Sequence, residues 1–207
     1  MSEQEVIIKS ENYVLDLLKK VDKYPYHNIN HTFEVYERSF YLCDKEKINK
    51  ENKTSILLAA LFHDTGFTIN YYKNEIIGAK IAREFLEKIK WPEEKIEDIE
   101  QIILATTVFS QPKNKLGKII QDADFENFGR SDCLKKTLEV RKELRLIVGN
   151  DIPVLQWYNM TAELMQKHSF KTKTAQEEGN KKKEENLKKL NKKIEDLSSK
   201  LLCLTAF

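Results

Sequence analysis

The chain has 207 residues, 41% of them hydrophobic and 33% charged, with a formal net charge of +2. That balance excludes wholesale disorder, collagen-like chains and small disulfide scaffolds, and the length suits one domain with a real core better than two. The opening MSEQEVIIKSENYVLDLLKK carries acids where a secretory leader needs bases, and no window nears about 18 uncharged apolar residues, so neither leader nor membrane span is expected. Cys43, Cys133 and Cys203 are odd in number and widely spaced, which reads as reduced thiols of a cytoplasmic protein. Only 6 glycines and 4 prolines leave too few turn residues for a hairpin-rich β fold, so an all-α bundle is predicted.

Helix signals follow in chain order. Val6, Val14, Leu17, Leu18 and Val21 stand at helical spacing before Tyr24-Pro25-Tyr26 interrupts them. A second helix is predicted from Asn28 or Asn30, both good caps, to about Asp44. A third runs from about Asn52 into His63-Asp64 and stops at Gly66; its unbroken apolar run from 56 to 62 covers every face and marks a central buried helix. After an aromatic loop from Phe67 to Asn74, helices are expected over 75–90, 93–107, 116–125 and 133–147. Asp151-Ile152-Pro153 opens another, running to about His168, by a cap-then-proline signal.

Residues 167–200 hold 11 Lys against 6 Asp/Glu, so a basic tail follows a weakly acidic body. Within it Leu187, Leu190, Ile194, Leu197, Leu201 and Leu204 form a short heptad seam. The plain reading docks this terminal helix on its own body; the sharper one pairs two copies into a homodimer. The expected boundary sets a helical domain at 1–166 and a basic C-terminal helix at 167–207. The tail's mixed charge argues against a nucleic-acid contact.

Chemistry gathers around few residues. Seven apolar residues lead straight into His63-Asp64. An imidazole and a carboxylate at the end of a buried helix are costly unless both are satisfied. A cation satisfies both, and a helix C-terminus favours positive charge. For an isolated pair the alternative is a core histidine bonded to a capping carboxylate. Two further groups weigh against that alternative: Tyr26-His27-Asn28-Ile29-Asn30-His31 at a helix start, and Asp122-Ala123-Asp124 at the end of an apolar segment.

The phrases YHNINHTFEV (26–35), LLAALFHDTGF (57–67) and IIQDADFENFGR (119–130), in that order, resemble the HD superfamily of metal-dependent phosphohydrolases. The resemblance spans about residues 13–147 and implies an HD-domain helical bundle. It implies His31, His63 and Asp64 as metal ligands, with the last ligand either Asp122 or Asp124. Residues two apart on a helix point some 200° from each other, so both are not expected at one metal; the Ala-Asp pair of other branches favours Asp124. The ion is one divalent metal, drawn from Mn, Mg, Fe, Co, Ni or Zn. Asp64 is also the catalytic group, orienting the nucleophilic water. Where many relatives carry a second-metal histidine this sequence has Asn74, which favours a single-metal centre; Glu75 beside it offers a further carboxylate.

His27 is read as facing or supporting the substrate from the loop that leads into the helix, as a packed structural residue, or, if it shares a helix face with His31, as a further ligand, and His168 is read as a surface residue. Lys73, Lys80, Arg83 and Arg130 are the candidate phosphate contacts, Lys80 and Arg83 sharing a helix face. Phe67, Tyr71 and Tyr72 crowd the loop at the mouth of the site, where rings can stack on a base. The expected activity is hydrolysis of a nucleotide or other small phosphate ester by a metal-activated water. The alternative is a non-catalytic domain that senses a nucleotide or metal.

Overall fold

The structure is a computed structural model that describes residues 1–149 and 151–205, without the side chains of 148, 204 and 205. It is helical, with no strand among the described residues. Its contacts group into two units, Met1–Asp124 with Lys171–Thr174, and Phe125–Phe170 with Ala175–Phe207. The expected boundary at 166/167 falls inside the second.

The first unit holds α1 (Glu3–Leu18), α2 (Ile29–Lys45), α3 (Lys50–Phe62), α4 (Asn74–Lys88), α5 (Glu93–Leu104) and α6 (Lys115–Asp124). Helix starts follow their caps. Ser2 and Glu5 form a reciprocal capping box on α1. Asn28 Oδ1 accepts from the Asn30 amide at 2.9 Å, and Asn49 Oδ1 from the Asn52 amide at 2.8 Å. α3 therefore begins earlier than its apolar run suggests. It is the central helix: every residue from Thr54 to Phe67 is buried, and α1, α2, α5 and α6 pack around it. Removing this much apolar surface from water is the main stabilising term of the unit.

α3 does not simply stop. It tightens into a 3-10 turn, Thr65–Thr68, and the Thr65 hydroxyl donates to Phe62 O at 2.7 Å, satisfying a carbonyl left open at the helix end. The start of α4 then lies directly on this turn. A Cβ on Gly66 would stand 2.0 Å from Asn74 O, and one on Gly78 2.9 Å from both Phe62 O and His63 O. Lys73, just before α4, takes a left-handed φ of 61°.

The second unit holds α7 (Cys133–Val148), α8 (Val154–Lys167) and the part of α9 (Lys173–Thr205) that begins at Ala175. Pro153 caps α8 from outside the helix rather than occupying its first turn. Asn186, buried in α9, donates to Phe128 O at 3.0 Å and Arg130 O at 2.7 Å. Of the seam, Leu190 is buried, Leu187, Ile194 and Leu197 are half-buried, and Leu201 is exposed; the side chain of Leu204 lies outside the described residues. The first half of the seam is thus covered and its described end exposed. His168 is no surface residue: its ring sits 5.2 Å from Phe125, 5.2 Å from Phe128 and 4.7 Å from Phe170. Among the described residues no helix is long and apolar enough to cross a membrane.

The thiols are unequal. Burial pushes Cys43 and Cys133 up to about 12, whereas Cys203 is exposed. A maleimide at neutral pH is expected to modify Cys203 alone in the folded protein and all 3 cysteines after denaturation, read by intact mass. Rapid native labelling of Cys43 or Cys133 would contradict the packing around them.

Candidate functional site

Three helix ends of the first unit bring the expected ligands together. His31 lies in the first turn of α2, positioned by the Asn28 cap. His63 and Asp64 follow the last turn of α3, and Asp124 is the last residue of α6. His31 Nε2 stands 3.4 Å from Asp64 Oδ2 and 3.2 Å from Asp124 Oδ1. His63 Nε2 stands 3.2 Å from Asp64 Oδ2 and 3.8 Å from Asp124 Oδ1. His31, His63 and Asp124 each offer a ligand atom within 4.8 Å of the others. Ligand atoms about 2.0–2.2 Å from one shared ion would stand apart by similar distances.

The donor chemistry fits a cation. His63 Nδ1 lies 2.8 Å from Ala60 O, a contact that makes Nδ1 the donor and turns the Nε2 lone pair toward the cluster. His63 Nε2 and Asp64 Oδ2 are both buried and, although 3.2 Å apart, neither makes a well-aligned hydrogen bond. Such atoms are costly in a core unless something satisfies them. The electrostatics agree. Burial opposes charge on His63, but Asp64 and then Asp124 outweigh it and raise its pKa to about 9. Burial also opposes charge on Asp64, yet His63, with His27 and His31 behind it, holds the carboxyl below the usual carboxylate range. The site is built for positive charge.

Asp122 lies outside this cluster. Its carboxylate turns the other way and accepts from Lys171 N, Thr172 N and the Thr172 hydroxyl at 2.8, 2.7 and 2.8 Å. Asn74 lies against the site, its amide donating to Asp64 Oδ1 at 3.5 Å. Glu75, next in α4, is half-buried; burial raises its pKa, and Asp64 and Asp124 add to the rise.

Rings line one side. His27, in the loop before α2, stacks on Phe67 with centroids 4.2 Å apart and stands edge-on to His31 at 5.8 Å. Phe67 meets Tyr71 at 5.0 Å, and Tyr71 meets Tyr72 at 6.1 Å. Tyr72 is the exposed end of this series. Tyr26, which the sequence reading did not single out, packs its ring 4.6 Å from that of His31. Its place beside His27 in the first motif was the available signal.

The expected phosphate contacts are less gathered. Arg83 is engaged by carboxylates, with Nη2 2.5 Å from Glu100, Nη1 2.6 Å from Glu93 and 3.1 Å from Glu87. These bonds tie α4 to α5 and account for its guanidinium. Lys80 is exposed, 3.7 Å from Glu84. Arg130 belongs to the second unit, where it forms a two-pronged pair with Asp132 at 3.0 and 2.7 Å.

Comparison with known proteins places residues 28–125 under the HD domain model. None of the curated proteins matches the chain. Three solved structures share its fold. Bacillus subtilis YpgQ, solved in complex with ADP, has a TM-score of 0.68 at 18% identity and covers 95% of this chain and 97% of its own. A predicted HD superfamily hydrolase from an uncultured Thermotogales bacterium gives 0.62 at 18%, covering 95% and 99%. Lin1889 of Listeria innocua gives 0.62 at 23%, covering 94% and 98%.

Proposed function

We propose, from the premise that this chain carries an HD domain, that it is a metal-dependent phosphohydrolase acting on a nucleotide. The observation that carries the reading is the convergence of four donor atoms, His31 Nε2, His63 Nε2, Asp64 Oδ2 and Asp124 Oδ1, two of them buried without a well-aligned hydrogen bond. These residues would hold one divalent cation. Such a cation supplies Lewis-acid polarisation of a phosphoryl group and acidification of water.

The chain's own residues do the rest. The Ala60 carbonyl holds the His63 ring and Tyr26 packs against that of His31, so the two Nε2 atoms face one point. Asp64 commits Oδ2 to that point and turns Oδ1 toward Asn74, so Oδ1 can accept a hydrogen bond from the attacking water. This makes Asp64 both a ligand and the group that orients the nucleophile. Catalysis is then mostly positioning and electrostatic stabilisation.

Nucleotide as the substrate class draws on two supports. YpgQ, similar in fold, is known in complex with ADP. The His27–Phe67–Tyr71–Tyr72 series gives this chain aromatic surface beside the ligand cluster. His27 is assigned to the substrate side. Lys80 is the first candidate for a phosphate contact, since Arg83 and Arg130 answer to neighbouring carboxylates.

Asn74 favours a second reading, a non-catalytic sensor of nucleotide or metal, because an amide stands where relatives use another ligand. One experiment separates the two. Protein purified without chelator is analysed for metals, then offered nucleotides, phosphomonoesters and cyclic nucleotides with Mn, Mg, Co, Ni, Fe or Zn. Turnover of a nucleotide that EDTA abolishes is expected. A metal-loaded protein inert across the whole set would reject the hydrolase in favour of the sensor.

A further inference from the structure

We infer that Asp122 is the positioning residue of the ligand cluster, clamping residues 171–172 and thereby fixing the end of α6 and the aim of Asp124. The inference rests on the metal-site reading above and adds a residue that does not touch the ion.

Asp124 is the last residue of α6. Helix ends lack the intrahelical bonds that hold the middle, and they fray. A ligand in that place needs the final turn held from outside. Two residues of the turn do so. Gln121, buried, donates to Ala105 O at 3.2 Å and to Ser110 O at 3.2 Å. Asp122, only 1% exposed, spends both oxygens on the segment after Phe170: Oδ1 takes Lys171 N, and Oδ2 takes Thr172 N and Thr172 Oγ. Asp122 and Asp124 are two residues apart, so they point to nearly opposite sides of α6. Clamping one fixes the rotation of the turn and hence the direction of the other.

The same short segment is held at its far end. Glu46, which caps α2, accepts from Thr174 N at 3.0 Å and Thr174 Oγ at 2.8 Å, and pairs with Lys115 of α6 at 3.1 Å. Residues 171–174 thus form a strap between α2 and α6. These are the helices that carry His31 and Asp124, whose ligand atoms stand 3.2 Å apart. A strap of five hydrogen bonds to two carboxylates spans the pair of helices that must face each other. The carboxylate form matters: an amide at 122 would turn an N–H₂ group toward one of the backbone N–H donors and lose the bond Asp122 makes there.

The test reads metal affinity rather than activity. Mn²⁺ binding is measured by titration, with free Mn²⁺ followed by electron paramagnetic resonance, on the full chain and on D122N, T172V, E46A, D124N and D122N/D124N. Thermal melting of each metal-free protein is recorded alongside. D122N is expected to weaken binding about 10- to 100-fold, the range typical of residues that orient a ligand. T172V and E46A, which each remove part of the strap, should weaken it by a smaller factor. In the D124N background D122N should add little, because its effect passes through Asp124. A clamp that served stability alone would lower the melting temperature and leave Mn²⁺ affinity unchanged. That result overturns the inference, as does full additivity of D122N with D124N. If D122N does not fold, unchanged affinity in both T172V and E46A overturns it equally. A wild-type chain that binds no divalent ion overturns the metal-site reading itself, an outcome distinct from all of these.

Discussion

Replacing His63 or Asp64 with alanine is expected to weaken divalent-metal binding by more than about a hundredfold and to abolish metal-dependent hydrolysis; loss of a direct ligand should exceed the 10- to 100-fold typical of outer partners. The reason lies in how both residues are held. His63 is the cap of α3, its backbone N–H bonded to Ala59 O and its ring to Ala60 O. It has no freedom to swing away, and no neighbour can replace its Nε2. Asp64 is within 3.4 Å of both imidazoles through one oxygen. Its loss removes a negative charge as well as a ligand, and Asp124 alone then faces the two rings. Titration calorimetry with Mn²⁺ and a hydrolysis assay read the two effects separately. Full hydrolysis by either purified variant would sink the assigned roles, whatever the substrate proves to be.

How far the sequence led, and where it stopped, follows from the range of the interactions. Local signals carried well. The unbroken apolar run marked α3 as the buried centre, and of the two candidate caps, Asn28 and Asn30, it is Asn28 that opens α2. The motif order brought His31, His63, Asp64 and Asp124 to one cluster. The Ala-Asp pair of the resemblance favoured Asp124, but what Asp122 bonds instead was not legible, because its partner lies 50 residues later in the chain. No periodicity reveals such a pairing. His168 fails the same way: its own surroundings in sequence are polar, but Phe125, Phe128 and Phe170 enclose its ring. The Lys80–Arg83 face was legible as a cationic stripe, yet not that Glu93 and Glu100 of the next helix would meet Arg83. Boundaries slipped by a few residues where a cap outside the apolar pattern set the start, as Asn49 does for α3.

The second large effect is expected at a residue with no chemistry of its own. Gly66→Ala should destabilise the protein by about 3 kcal/mol, the upper part of the range for overpacking. A Cβ there would meet Asn74 O at 2.0 Å, Asn74 C at 2.7 Å and Asn74 Cα at 2.8 Å. All three are backbone atoms, so no side chain can rotate out of the way; the start of α4 must lift off the turn that follows α3. Gly78→Ala meets Phe62 O and His63 O at 2.9 Å, a smaller overlap. Alanine also gains about 1 kcal/mol of helix propensity over glycine there, so its net cost should be lower. Gly149→Ala meets nothing described within 4 Å but holds a φ of 69°, which costs an L residue about 1 kcal/mol. Urea denaturation should therefore rank Gly66→Ala well below both others. Its Mn²⁺ affinity should fall too, because lifting Asn74 withdraws the amide that faces Asp64 Oδ1. Wild-type stability in Gly66→Ala would mean that α4 is not seated on the ligand turn, and the account of how Asp64 is oriented would fail with it.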